Sequence, residues 1–160
     1  MKCMSCGAEM VTGQEDHAYD SSGLRNVVLV GVVVDRCPSC GEFEVELPRV
    51  LELHRVLAQA LVGGHGRLVG AEIRFLRKQV GWSGADFARQ MGVTPETVSR
   101  WENDRLPMNS TKERFLRLLV AHLAPVESYD VARLAEVREA EAPLETIRVT
   151  PDARGWQAAA

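Results

Sequence analysis

The sequence predicts an α+β chain of two domains: a small N-terminal β domain closed by a helix, then an all-α domain. Three observations predict this. Near residue 47 the apolar period switches from β-branched runs and alternation to an i, i+3, i+4, i+7 stripe. All four cysteines fall in the first quarter, at Cys3, Cys6, Cys37 and Cys40, in two C-x-x-C pairs. Charge is uneven around a net −3: residues 1–62 hold five Lys/Arg against nine Asp/Glu, residues 68–124 nine against six, and residues 125–160 four against seven. A length of 160 residues holds one ordinary domain or two small ones. With 46% hydrophobic and 26% charged residues, the composition is that of a globular chain and excludes a disordered one.

Residues 1–46 read as short β structure. Residues 3–7 form a tight turn, and strand starts at Met10 and Val11 and continues at 17–19. Ser21, Ser22 and Gly23 signal a turn. Residues 27–35 are β-branched and apolar, interrupted by Gly31. A second C-x-x-C turn follows, and 43–46 alternates as a half-buried strand. Residues 47–62 carry a helical stripe at Leu47, Val50, Leu51, Leu57, Ala58 and Leu61 with His54 in phase, and Pro48 suits the first turn. Residues 63–67, rich in glycine, read as a linker that sets no angle, giving domains at 1–62 and 68–124.

Residues 68–124 read as four or five short helices. Residues 70–80 bury Ile73, Leu76 and Val80; 84–91, capped by Ser83, bury Ala85, Ala88 and Met91; Gly92 stops that helix. Thr94 and Pro95 restart as N-cap and first helical residue. After a Ser110 cap, 112–123 give a last helix burying Phe115, Leu118, Leu119 and Leu123. Within the C-terminal extension, 125–160, a helix is expected at 128–141, extended chain at 145–149 and a frayed tail.

The longest apolar run, 27–34, has eight residues, well short of the roughly 20 that a membrane-crossing helix needs. The opening MKCMSCG lacks the apolar region of a secretory signal. A cytoplasmic chain with reduced thiols is therefore expected, where paired C-x-x-C turns are metal ligands rather than disulfides. Thiolates at i and i+3 of a tight turn converge on one ion, and Gly7 and Gly41 fit turns that need positive φ. Cys3, Cys6, Cys37 and Cys40 thus predict a zinc-ribbon-like module with one structural zinc per chain. An iron centre of rubredoxin type uses the same ligands. His17 is either an added ligand or a strand histidine.

The run 84–102, GADFARQMGVTPETVSRWE, has the economy of a helix-turn-helix, with a three-residue turn at Gly92, Val93 and Thr94. Small Ala88 lets the helices approach, and Val98 and Trp101 point inward. Glu96, Thr97 and Arg100 then face out. Arg100 can pair with guanine O6 and N7, Thr97 can meet a thymine methyl or a phosphate, and Glu96 can accept from cytosine N4. Thr94 can cap the helix and give its hydroxyl or N–H to a phosphate.

Residues 70–123 resemble a Cro/repressor-type (XRE-like) helix-turn-helix, with the family's "TVSRWE" run at 97–102. The resemblance implies a buried pair between Arg77 and Glu102. The family usually opens the helix at 84 with a phosphate-binding Gln; Gly84 stands there, so that contact is not carried over. The order of two C-x-x-C-G turns, helix and helix-turn-helix over residues 1–124 also resembles the MqsA-type (YgiT-type) zinc-finger/helix-turn-helix antitoxin family. That resemblance implies a homodimeric repressor of its own operon, bound to double-stranded operator DNA, whose zinc module neutralises a small toxin. A basic toxin would suit the acidic N-terminal module. A stand-alone regulator without a toxin is the other reading. A hydrolytic or redox metalloenzyme is disfavoured: there is no H-E-x-x-H, nucleophile elbow or Gly-rich phosphate loop, and His54, His65 and His122 are scattered.

Overall fold

The computed structural model describes residues 1–123, 130–137 and 144–159. The α+β class holds: a β sheet bearing the four cysteines precedes a helical region. Strands β1 (Val11–Ala18) and β2 (Val27–Arg36) form an antiparallel hairpin through a 3-10 turn at Asp20–Ser22. The pairing register shifts between Glu15 and His17. β3 (Phe43–Val45) pairs with the last three residues of β2.

The tail does not fray where it is described. β4 (Ile147–Pro151) lies parallel to β2 along Val27, Val28 and Leu29, and β5 (Trp156–Ala158) returns antiparallel to β4. The Trp156 indole N–H donates to the Pro48 carbonyl at 2.6 Å, pinning the strand beside the start of the first helix. A pairing across more than a hundred residues leaves no local signal, so only the extended stretch at 145–149 was legible. Of the helix expected at 128–141, a 3-10 turn at Val131–Glu136 is seen; 128–129 and 138–141 lie outside the described residues, as does Ala160.

Among the described residues, five α-helices follow the sheet hairpin: α1 (Val50–Gly63), α2 (Gly70–Gln79), α3 (Gly84–Met91), α4 (Pro95–Glu102) and α5 (Ser110–Leu123). α1 begins later than the stripe suggested. Arg49 takes a left-handed backbone (φ 50°), so Pro48 and Arg49 turn the chain before the helix starts. α1 buries Leu53, Leu57, Ala58, Leu61 and Val62, while Val50 and Leu51 stay exposed. His54 is half-buried, 3.0 Å from the Tyr19 hydroxyl, and its burial holds its pKa below the ordinary histidine value. In α3 the large ring of Phe87 takes the core position, and Ala85 faces solvent.

α5 is rotated from its expected setting. It buries Glu113, Leu116, Arg117 and Val120, leaves Phe115, Leu118 and Leu123 exposed, and half-buries Leu119. Its cap is Asn109, whose Oδ1 accepts from the Lys112 N–H at 2.9 Å, not Ser110. The rotation has a polar cause. Arg117, 1% exposed, donates to the carbonyls of Leu61, Val62, Gly64 and Gly66 and to Glu113 Oε1. Glu113 Oε1 also accepts from the Leu68 N–H at 3.0 Å. The glycine-rich 63–67 stretch is thus held against α5 by the carbonyls it cannot pair with itself. Consistently, one apolar core runs without a break from Leu29 and Val34 through Leu57 to Ile73, Phe87 and Leu116.

Candidate metal centre and nucleic-acid interface

The two cysteine turns are built alike. In the first, Cys3 N–H donates to Ala8 O and Gly7 N–H to Cys3 O; in the second, Cys37 N–H donates to Glu42 O and Gly41 N–H to Cys37 O. Both glycines have positive φ, 75° and 80°, where a β-carbon would be strained. β1 and β2, paired from Val11 to Arg36, bring the turns together because each turn abuts one end of that pair. The four Sγ atoms lie within 4.8 Å of one another, with Cys3–Cys40 at 3.6 Å and Cys6–Cys37 at 3.4 Å. Four sulfurs about 2.3 Å from a tetrahedral ion would be about 3.8 Å apart, so the set fits one metal ion such as zinc. His17 is not among them; its ring packs 5.4 Å from Phe43.

Each turn buries its first cysteine and exposes its second. Backbone N–H groups, that of Cys40 first, lower the Cys37 pKa to about 6. For Cys40 the Glu42 N–H pulls downward, but the crowding sulfurs of Cys37, Cys6 and Cys3 win and push its pKa up to about 12. The Cys37 thiolate forms readily and Cys40 resists joining it, a conflict that a bound cation relieves. Cys3, Met10 and Cys37, with Ala8, form a small apolar cluster separate from the main core.

The helical site is assembled from α3, the turn at Gly92 to Thr94, and α4. Gly92 is left-handed (φ 66°), and Thr94 Oγ1 accepts from the Thr97 N–H at 3.2 Å. Val98 and Trp101 are buried, and Trp101 meets Phe87 edge-on at 6.3 Å. Thr94, Glu96 and Arg100 are exposed and Thr97 is half-buried, so all four predicted contact residues sit together at the outer side of α4 and its cap. Arg100 Nη2 bonds Glu96 Oε1 at 2.6 Å, one turn away. Ser99 and Asn103 share the exposed side, three and seven residues after Glu96, a spacing that would have found them. Exposed Arg105 follows the helix. At the start of α3, where Gly84 stands, Asp86 bonds the Ser83 hydroxyl and N–H. These bonds hold its carboxyl below the usual range. A phosphate there would meet that charge.

Glu102 closes the site from behind. Its carboxylate takes Arg77 Nε at 2.5 Å and Nη2 at 3.2 Å, with Arg77 12% and Glu102 8% exposed. Arg74 adds a second guanidinium at 3.3 Å, which the resemblance did not imply. Gly70 lets α2 reach α4: a β-carbon there would lie 2.6 Å from the Glu102 carbonyl. A helix-turn-helix family model matches residues 73–120. That match supports residues 73–120 as the DNA-binding part of a transcription regulator. No match was found among curated proteins. The helix-turn-helix match spans the Arg77–Glu102 pair and α4, and none of the helices described is long and apolar enough to cross a membrane.

Replacing Glu102 by alanine leaves the half-buried Arg77 without its carboxylate. We expect a loss of about 3–5 kcal/mol in unfolding free energy. Urea denaturation checks it, and a loss below about 1 kcal/mol would mean that the pair is open to water in solution.

Proposed function

We propose that the chain is a sequence-specific repressor, the antitoxin of a type II toxin–antitoxin pair, acting in the cytoplasm as a homodimer on its own operator. The observation that carries the DNA reading is α4, whose apolar side is locked by Val98 and Trp101 while Glu96, Ser99, Arg100 and Asn103 are left open. A rigid helix with a polar outer side suits a major groove about 12 Å wide. In this reading Arg100 leaves Glu96 to pair with a guanine, and Glu96 accepts from a neighbouring cytosine. Thr94 and Thr97 hold the register on phosphate or a thymine methyl.

The four thiolates hold one zinc. The soft, closed ligand set favours that ion and leaves no position for a substrate, so its role is structural. Nine bases against six acids in residues 68–124 give a weak charge term per chain, and two half-sites compensate for it. Exposed Phe115, Leu118 and Leu123 on α5 offer a face that a second copy can cover. The regions 1–62 and 68–124 divide the work, partner binding and DNA reading, although one core joins them.

Arg100→Ala is expected to cost about 1–3 kcal/mol of operator affinity and relax preference at one base pair. Binding to a set of single-base operator variants checks this; an equal loss on all sequences makes Arg100 a phosphate contact. The reading as a whole is tested by purifying the native complex from its host and identifying both the DNA fragment and any protein bound. DNA with a small basic protein encoded beside this chain supports the antitoxin. DNA alone supports a stand-alone regulator.

A further inference from the structure

The metal end of the sheet carries an exposed apolar patch that neither the metal nor DNA uses. Val11, Arg36 and Phe43 stand side by side across β1, β2 and β3. Val11 is 62% exposed and Phe43 44%, and Met4, between the first two cysteines, is 91% exposed. Large apolar side chains gathered at one end of a small module mark a contact surface more often than scattered ones do.

Phe43 is already in place. The Arg36 guanidinium lies over its ring at 5.1 Å, the His17 ring lies 5.4 Å away, and Glu15 fixes Arg36 with a 2.5 Å ion pair. A ring held this way loses little freedom on binding, and aromatic and arginine side chains are the usual anchors of protein interfaces. The charged side chains of residues 1–10 and 37–46 are Glu9, Glu42, Glu44 and Glu46 against Lys2, all exposed. Four thiolates around a divalent ion would add two more negative charges. Such a rim repels DNA phosphates and a second copy of itself, and it attracts a basic protein.

We propose that Phe43, with Val11 across Arg36 from it, is the anchor of a docking surface for a basic protein that offers an apolar pocket at the centre of its contact. The inference rests on the antitoxin reading and locates the toxin-facing side of the module. Phe43 and Val11 lie outside the main core, so substitutions there leave the fold standing.

The test uses the full chain in its host, with a photo-crosslinking benzoylphenylalanine placed at Phe43 and, in a separate strain, at Leu118. The protein crosslinked at position 43 is identified, purified, and titrated against the native chain, Phe43→Ser, Val11→Ser and Glu42→Lys. The expected result is a basic protein that is captured at 43 and not at 118. Its affinity should fall at least about tenfold with Phe43→Ser, with a weaker salt dependence for Glu42→Lys. Metal content and helix content should match the native chain. Capture of a second copy or of an acidic protein at 43 overturns the proposal. If a partner protein co-purifies with the native chain but binds Phe43→Ser and Val11→Ser as tightly, the surface is wrong and the antitoxin reading survives. If nothing co-purifies and nothing crosslinks, both fall.

Discussion

Arg117→Met is expected to lower the unfolding free energy by about 3–5 kcal/mol, more than a methylene-for-methylene change in a core would cost. The substitution keeps much of the apolar stem and removes the guanidinium. Glu113, 1% exposed, then loses its guanidinium and keeps the Leu68 N–H, and the carbonyls of Leu61, Val62, Gly64 and Gly66 lose a shared donor. Since Nε of Arg117 has no hydrogen-bond partner among the described residues, the terminal nitrogens carry the interaction. The double change Arg117→Met with Glu113→Leu removes the orphaned charge but not the orphaned carbonyls, so it should recover part of the loss and no more. Guanidinium denaturation of both variants measures this. A single variant within about 1 kcal/mol of the native chain would mean that water already reaches the guanidinium.

The second large effect is Cys37→Ser. Structural zinc sites contribute apparent binding free energies of about 10–16 kcal/mol, which appear as folding energy where the site does not preform. Here the part that depends on the metal is small. Cys3, Met10 and Cys37 cluster apart, whereas Val27, Leu29, Val32 and Val34 of β2 share the core of the helices. The expected result is loss of bound metal and of hydrogen-exchange protection in residues 1–10 and 37–42, with the helices of 70–123 still protected. An unchanged metal content would remove Cys37 from the ligand set. Loss of protection throughout would mean that the metal holds the whole fold.

Much of the candidate site was legible because it is local. The cysteine turns carry their own glycines, the helix-turn-helix carries its own cap and stop, and the α3 limits and the α4 start fall at the predicted residues because Ser83, Gly92, Thr94 and Pro95 satisfy the helix ends from within a few positions. The Arg77–Glu102 pair was implied by resemblance, and the geometry adds Arg74 to it. What failed was the facing of elements. An apolarity pattern assigned Phe115, Leu118 and Leu123 inward, but α5 turns its charged pair to the core because the carbonyls at the end of α1 and in the following glycines draw a donor more than leucines need cover. Ala85 lost its place to Phe87 by size alone.

By itself, then, the sequence determined the two cysteine turns, the element types up to residue 123, and the helix-turn-helix, since each depends on neighbours a few residues apart. Only the tertiary structure decided that the glycine-rich 63–67 stretch is clamped by Arg117, and that the last residues return to close the first sheet at Val27 to Leu29. Those outcomes depend on hydrogen-bond partners that lie 51 to about 120 positions away along the chain, where no local pattern points.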